Sequence, residues 1–290
     1  MNAFDPIFDI SNKTIIVTGA SSGLGASFSE ILAERGANVV ITARRLDRLN
    51  KLEQKLTNKG LSVLSIPCDV TKSTDVAKMI AKTEHEFGSL DVMINNAGLS
   101  ADESSVPENM TDDMFSETID VNLKGLWYCC REAGQRMLKN GNGSIINISS
   151  VAGLKGMRGV PTAYQTTKGA VVTLTQSLAA NWADRGVRVN AIAPGWFKSE
   201  LTMGLLRNKV FKERLNSNSP MGRIGKIQEL YGVLLLLSSD ASSFITGETI
   251  SVDGGISGSI GMPFWTDEMF ELKERAFPEG TATRIQRVTK

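Results

Sequence analysis

Tyr164 and Lys168 are the residues of this sequence whose types and spacing best suit acid–base chemistry. If residues 162–184 form a helix, their side chains lie one turn apart on the same face. An ammonium group beside a phenol favours the phenolate, so we expect Lys168 to lower the pKa of Tyr164 from its ordinary value of about 10. Such a tyrosine can donate and accept a proton near neutral pH. The alternative is a surface tyrosine and a solvated lysine on an ordinary amphipathic helix.

Two serines, Ser149 and Ser150, precede that helix at the end of a predicted strand, Gly143–Ile148. A serine hydroxyl at this place could hold the oxygen that gains or loses the proton. The rest of the chain must show whether other elements bring a cofactor to the same place.

A glycine-rich turn follows the first predicted strand, Thr14–Thr18, and a helix with apolar residues on one face follows the turn. The turn is Gly19-Ala20-Ser21-Ser22-Gly23-Leu24-Gly25. Glycines let backbone N–H groups approach a ligand closely, and the amino end of a helix adds partial positive charge that suits a pyrophosphate. The spacing is GxxxGxG rather than the standard GxGxxG. A turn that only packs is the alternative, which the flanking strand and helix make less favoured.

Arg44 and Arg45 come directly after the second predicted strand, Asn38–Thr42. At this position an acidic residue suits the 2′-hydroxyl of NAD, whereas a basic residue suits the 2′-phosphate of NADP. A planar guanidinium can make two parallel hydrogen bonds to a phosphate. The sequence therefore favours NADP over NAD, and the alternative is a pair of solvated arginines at a helix start.

Strands and helices alternate seven times along the chain, which predicts an α/β fold with one Rossmann-type, doubly wound parallel sheet and helices on both faces. The remaining predicted strands are Leu61–Ile66, Asp91–Ile94, Val187–Ile192 and Thr249–Val252. Ligands bind beyond the carboxyl ends of such strands. The residues that follow strand ends should therefore converge on one edge: Gly19 to Gly25, Arg44, Asp69, Asn96, Ser149, Ser150, Tyr164, Lys168, Pro194 and Gly195.

The composition excludes several classes of function. The chain has 290 residues, with 32 Lys and Arg against 31 Asp and Glu, so its net charge of +1 argues against nucleic acid or an anionic membrane as partner. The three cysteines form no CxxC pair, which fits free thiols in a reducing compartment. No signal-peptide core or membrane-length apolar run is present, so we expect a cytoplasmic protein. A single histidine, His85, excludes a Ser-His-Asp hydrolase and argues against a metal site.

Taken together, these motifs resemble those of the short-chain dehydrogenase/reductase family, in the family's order and over residues 10–256. The matching pieces are Thr18-Gly19-x-x-x-Gly23-x-Gly25, Asp69-Val70, Asn95-Asn96-Ala97-Gly98, Asn122, Ser150, Tyr164-x-x-x-Lys168, Asn190 and Pro194-Gly195. Within the family the chain looks most like the group that includes 3-oxoacyl-carrier-protein reductases and many sugar, polyol and steroid dehydrogenases.

The resemblance implies a role for each matching residue. Tyr164 matches the proton-transfer tyrosine, and Lys168 the lysine that binds the nicotinamide ribose and lowers the tyrosine pKa. Ser150 matches the serine that binds the substrate oxygen, with Ser149 a weaker candidate, and Asn122 matches the asparagine that supports a proton-relay water. The candidate cofactor-binding residues are Gly19, Ser21, Ser22, Gly23, Leu24, Gly25, Arg44, Arg45, Asp69, Val70, Asn96, Ala97, Gly98, Tyr164, Lys168, Pro194, Gly195 and Phe197.

The implied activity is NADP(H)-dependent interconversion of a carbonyl and a secondary alcohol on a small-molecule substrate. The alternatives are a carrier-protein-linked 3-oxoacyl reductase, for which Lys155 and Arg158 could form a docking patch, and a catalytically silent NADP-binding scaffold. The family also implies a homotetramer or homodimer, formed through the predicted helices 111–139 and 162–184 and the last strand.

Two segments limit what the resemblance implies: the acidic loop after Gly98, at residues 99–110, has no recognisable substrate signature, and the chain continues beyond Asp253-Gly254-Gly255, where many members of the family end. Ser150 and Tyr164 are 14 positions apart, one more than expected for many members. We expect one domain over residues 1–256, including a substrate loop at 196–225, and an extension at 257–290. Aromatic and apolar side chains from Trp265 to Phe277 predict a short amphipathic helix there, which would pack on the same domain or a neighbouring subunit.

Overall fold

One sheet of seven parallel strands forms the centre of the protein, as seen in a computed structural model that describes residues 6–100, 106–198, 202–203 and 206–259. The strand order is β3-β2-β1-β4-β5-β6-β7. The strands are β1 (Thr14–Thr18), β2 (Asn38–Ala43), β3 (Val63–Pro67), β4 (Val92–Asn95), β5 (Gly143–Ile148), β6 (Val187–Pro194) and β7 (Thr249–Val252). The predicted Rossmann-type α/β fold is confirmed.

Helices cover both faces of the sheet. They are α1 (Gly23–Glu34), α2 (Leu46–Thr57), α3 (Ser73–Phe87), α4 (Asp112–Ile119), α5 (Leu126–Asn140), α6 (Thr162–Trp182), α7 (Lys209–Asn218) and α8 (Tyr231–Ser238). Alternate residues of β1 show how the core divides. Ile15 and Val17 pack with apolar residues of α1, α2 and α8, whereas Ile16 packs with those of α3, α5 and α6. Because both faces are buried, β-branched and apolar residues form almost unbroken runs in the central strands.

Three helical segments differ from the prediction. A π-helical segment, Asp120–Gly125, separates α4 from α5, where one long helical region was expected from Thr111 to about Lys139. The strongly apolar segment 227–237 predicts a single buried helix, but it begins as the 3₁₀ turn Ile227–Leu230 and continues as α8. The segment 196–225, which was expected as a substrate loop, contains the helix α7.

Some predictions concern residues outside the ranges that the structure describes. The amphipathic helix expected between Trp265 and Phe277 lies outside the described residues, and so does the middle of the acidic loop after Gly98. The boundary between residues 256 and 257 stays a prediction. No helix within the described ranges is both long enough and apolar enough to cross a membrane.

Candidate active site

A cleft of about 380 Å³ opens at the carboxyl ends of the strands. It lies over the neighbouring strands β1 and β4, where the chain reverses the direction in which it builds the sheet, and this is the usual ligand position in a doubly wound fold. Its lining contains all the predicted cofactor-binding residues except Gly25. Six further lining residues had not been predicted: Ala43, Cys68, Leu99, Val121, Ile148 and Thr202.

The glycine turn forms one wall of the cleft and opens the amino end of α1 towards it. Gly19 has φ +67°, and a Cβ on it would lie 2.8 Å from the Cα of Ala97, so only glycine fits there. Gly25 lies beneath the turn, where a Cβ would meet the side chain of Asn96 at 2.5 Å. Ser22 makes no side-chain cap on α1. The first N–H groups of that helix and its dipole are therefore directed to a site suited to an anion.

Thr18 holds the ends of β1 and β4 together beneath this wall. Its Oγ1 accepts hydrogen bonds from the N–H groups of Asn96 and Ala97, both at 3.0 Å. The side-chain amide of Asn96 donates in return to the carbonyl of Thr18 at 2.9 Å. Thr18 belongs to the glycine motif, but these hydrogen bonds between β1 and β4 were not predicted, because the partners of Thr18 lie 78 and 79 residues away in sequence.

Arg44 and Arg45 form the outer end of the cleft. Arg45 donates from Nη2 to Ser21 Oγ at 3.0 Å and to Ser22 Oγ at 2.9 Å, so its guanidinium lies directly over the glycine turn. Arg44 faces Asp69. Burial works to raise the pKa of Asp69, but hydrogen bonds from Thr71 and the nearby charge of Arg44 outweigh it and leave the pKa below its ordinary value.

Tyr164 and Lys168 lie at the inner end of the cleft, in the first turns of α6. Lys168 Nζ is 5.7 Å from the centre of the Tyr164 ring and donates to the carbonyl of Ile148 at 2.7 Å. Lys168 is 4% exposed, and burial lowers its pKa from 10.5 to about 8. The structure thus brings the predicted pair together, with Lys168 buried and Tyr164 half-buried, and this removes the alternative of a surface tyrosine beside a solvated lysine.

The expected direction of the Tyr164 pKa is wrong for this structure. Burial raises the pKa of Tyr164 above 10, and a hydrogen bond from Ser150 offsets only part of that effect. The reason is that the phenol itself leaves water, while the ammonium of Lys168 is directed to Ile148. A raised pKa favours the protonated phenol, which is the form that can donate a proton.

The two serines have different surroundings. Ser149 Oγ donates to the carbonyl of Lys168 at 2.8 Å, so its hydroxyl is used to join β5 to α6. Ser150 Oγ accepts from the N–H of Ala152 at 3.2 Å and also bonds Tyr164. Of the two, Ser150 is the one bonded to Tyr164, and its role towards a substrate stays a prediction.

Asn122 lies in the π-helical segment, fully buried beneath the cleft rather than in its lining. Its side-chain amide pairs with the backbone of Leu99 in both directions, accepting from the N–H and donating to the carbonyl at 2.8 Å each. It also donates to Thr167 Oγ1 at 3.3 Å. These bonds fix the segment after Gly98 against α6. A π-helical turn is often found where a functional residue must be re-aimed.

The residues of the cleft fit a dinucleotide with an additional phosphate. At the outer end, the guanidinium groups of Arg44 and Arg45 suit a phosphate on the adenosine ribose. In the middle, the open amino end of α1 suits the pyrophosphate. At the inner end, a Cβ on Gly98 would lie 3.5 Å from Lys168 Nζ. Glycine at this position therefore keeps that part of the cleft open. A flat ring could therefore lie close to Tyr164.

The chain matches a family model described as enoyl-(acyl carrier protein) reductase over residues 19–257. It is 37% identical over 245 residues to the 3-oxoacyl-[acyl-carrier-protein] reductase FabG of Staphylococcus aureus, and the match spans 84% of this chain and 98% of the reductase. It is 34% identical over 254 residues to gluconate 5-dehydrogenase of Gluconobacter oxydans, over 88% of this chain and 98% of that enzyme.

Solved structures with the same fold include a gluconate 5-dehydrogenase and a short-chain type dehydrogenase/reductase. A gluconate 5-dehydrogenase from Burkholderia cenocepacia, determined in complex with NADP and tartrate, superposes with a TM-score of 0.83 at 32% identity, over 88% of this chain and 99% of that chain. A short-chain type dehydrogenase/reductase from Mycobacterium ulcerans superposes with a TM-score of 0.82 at 30% identity, over 93% and 96%.

Proposed function

Because the chain belongs to the short-chain dehydrogenase/reductase family, we propose that it interconverts a carbonyl and a secondary alcohol using NADP(H), with Tyr164 as general acid and base. The observation that carries the proposal is the group formed by half-buried Tyr164 with buried Ser150 and Lys168, at the inner end of a cleft whose outer end holds two arginines. Relatives at about this identity are oxidoreductases that act on CH–OH groups.

The chain supplies the proton chemistry. When bound, the nicotinamide ring gives hydride to the carbonyl carbon in reduction and takes it from the alcohol carbon in oxidation. In reduction, the Tyr164 hydroxyl gives its proton to the carbonyl oxygen, and Ser150 holds that oxygen by a hydrogen bond. The positive charge of Lys168 offsets the negative charge left on the phenolate. In oxidation the same phenolate takes the proton of the alcohol.

The arginines support a preference for NADPH over NADH. Arg45 lies over the serines of the glycine turn and Arg44 beside Asp69, so both charges are near the place where a 2′-phosphate would lie. We expect the wild-type protein to bind NADPH at least about tenfold more tightly than NADH, which is roughly 1.4 kcal/mol. In fluorescence titrations, the variants Arg44→Ala and Arg45→Ala should each lose part of the preference for NADPH while keeping the wild-type affinity for NADH. Equal affinities in the wild type would refute it.

The substrate is either a free hydroxy or oxo compound or a 3-oxoacyl thioester carried by a protein. The second candidate is supported by the identity to FabG and by Lys155 and Arg158, which are exposed in the segment between Ser150 and Tyr164. The test measures NADPH oxidation with a panel of free ketones and oxo-acids and with an acyl-carrier thioester. Turnover of the thioester that falls in Lys155→Glu and Arg158→Glu would select the carrier-linked reductase. Turnover of free compounds only would select the first candidate.

A catalytically silent scaffold is the remaining alternative. It would bind NADPH and turn over none of these compounds. A homotetramer or homodimer also stays a proposal, and light scattering after size-exclusion chromatography tests it by giving the mass of the particle in solution.

A further inference from the structure

Gln165 follows Tyr164 in the first turn of α6, and its side-chain amide holds a turn of the preceding loop. Its Oε1 accepts from the N–H of Met157 at 2.7 Å. Its Nε2 donates to the carbonyl of Met157 at 3.1 Å and to that of Val160 at 2.8 Å. Both donors of the amide and one acceptor position are therefore used on one short stretch of backbone.

The stretch that Gln165 holds is a tight turn. The N–H of Val160 reaches the carbonyl of Met157 at 3.4 Å, and Gly159 has φ +80°. A positive φ at the third position of a four-residue turn is the signature of a type II turn, in which glycine is favoured. Gln165 thus bonds the first and last residues of the turn and fastens it to the helix that carries Tyr164.

The loop has other fixed points near its start and at its last residue, Pro161, whose carbonyl accepts from the backbone N–H of Gln165 at 3.0 Å. Ser150 caps the 3₁₀ turn Val151–Gly153, and Gly153 packs on the backbone of Lys168, where a Cβ would meet the carbonyl at 2.5 Å. From there on, Lys155, Gly156, Arg158 and Gly159 are exposed. The side-chain amide of Gln165 therefore holds the turn Met157–Val160, which lies between these fixed points, on α6.

Ser150 and Tyr164, which flank this loop in the chain, both line the cleft, so a substrate oxygen placed between them lies beside the two ends of the loop. On the opposite side of α6, Asn122 pairs with the backbone of Leu99 in the same two-way manner. We propose that Gln165 is a positioning residue, which fixes the loop 154–161 as the wall of the substrate site next to Tyr164. The inference rests on the proposed function and goes beyond it in naming a residue that sets substrate affinity.

The matched variants are Gln165→Ala, Gln165→Glu and Gln176→Ala. Glutamate has the same shape and keeps an acceptor for Met157 N–H, but its carboxylate would face the carbonyl oxygens of Met157 and Val160. Gln176 is exposed three turns further along α6 and serves as the control.

Two measurements decide the matter. Hydrogen exchange of the Met157 amide should become at least about tenfold faster in both Gln165 variants and stay unchanged in the control. With a carbonyl substrate identified by the panel above, KM should rise about tenfold, or 1.4 kcal/mol, while kcat stays within about twofold and NADPH affinity is kept.

Each contrary result has a distinct meaning. Unchanged exchange in Gln165→Ala would show that the amide does not hold the turn. Faster exchange with unchanged KM, or a fall in kcat alone, would show that the loop is not a substrate wall, and either result overturns the inference. A wild-type protein that oxidises NADPH with none of the compounds overturns the proposed function itself, whatever the exchange result.

Discussion

Replacing Lys168 by methionine should make the free protein more stable at neutral pH while removing its activity. Lys168 is 4% exposed, and burial lowers its pKa from 10.5 to about 8. Between these two pH values the unfolded chain binds a proton that the folded protein does not, so stability rises with pH in that window. Below about pH 8 the buried ammonium lowers the free energy of unfolding by its full amount. This destabilisation decreases as the pH rises towards 10.5, because the folded protein then holds a neutral amine.

The size of the effect follows from the two pKa values. At 1.36 kcal/mol for each pKa unit, the buried charge destabilises the fold by about 3 kcal/mol at neutral pH. Methionine has no N–H for the carbonyl of Ile148, and leaving that buried acceptor without its partner costs about 1–2 kcal/mol. We therefore expect Lys168→Met to unfold with a free energy about 1–2 kcal/mol higher than the wild type near pH 7.

Urea unfolding at about pH 7 and about pH 10.5 tests this reasoning. The free-energy difference between Lys168→Met and wild type should fall by about 3 kcal/mol from the lower to the higher pH, so that the variant becomes the less stable protein. Lys139, which is exposed on α5, provides the control, and Lys139→Met should remain close to wild type at both pH values. A Lys168→Met difference that is the same at both pH values would refute the claim that a charged Lys168 is desolvated in the fold.

Three further predictions concern the neighbouring residues. Ser150→Ala should lower kcat by about 10²–10³ because a hydrogen bond to the substrate oxygen is lost. Ser149→Ala should keep most of kcat and instead lose about 1 kcal/mol of stability with its bond to Lys168, and equal kinetic losses would contradict the assignment. Because burial raises the pKa of Tyr164, its ionisation in the free protein, followed by ultraviolet difference spectra against Tyr164→Phe, should have its midpoint above 10, and a midpoint near neutral pH would contradict this. Asn122→Ala should lower the free energy of unfolding in urea by about 2–3 kcal/mol, since the backbone of Leu99 loses both partners, whereas a neutral effect would show that the pairing contributes nothing.

The sheet could be predicted from the sequence because its strands are buried on both faces. Runs such as Thr14–Thr18 consist of β-branched residues bounded by turn residues, and this pattern does not depend on distant contacts. The convergence of the site could also be predicted, since parallel strands place their carboxyl ends at one edge. The lining of the cleft contains residues from the glycine turn to Phe197 for this reason.

What the sequence could not show depends on burial and on contacts between distant residues. The spacing of Tyr164 and Lys168 places them on one face of α6, but it does not show how far burial removes each group from water. The predicted lowering of the tyrosine pKa was wrong for this reason. The π-helical turn at Asn122 depends on its pairing with Leu99, 23 residues away. The hydrogen bonds of Gln165 and Thr18 could not be predicted from the sequence, because a side-chain amide or hydroxyl has many possible partners along a chain.

The most direct test of the proposed activity is NADPH oxidation by wild type, Tyr164→Phe and Tyr128→Phe with a carbonyl substrate from the panel. Tyr128 is half-buried on α5 and lies beneath Arg131, outside the lining of the cleft, so it is a matched control for the loss of one hydroxyl. We predict that Tyr164→Phe lowers kcat by about 10²–10⁴ while Tyr128→Phe stays at wild-type values. Turnover that survives in Tyr164→Phe would contradict the account, because the proton would then come from another group.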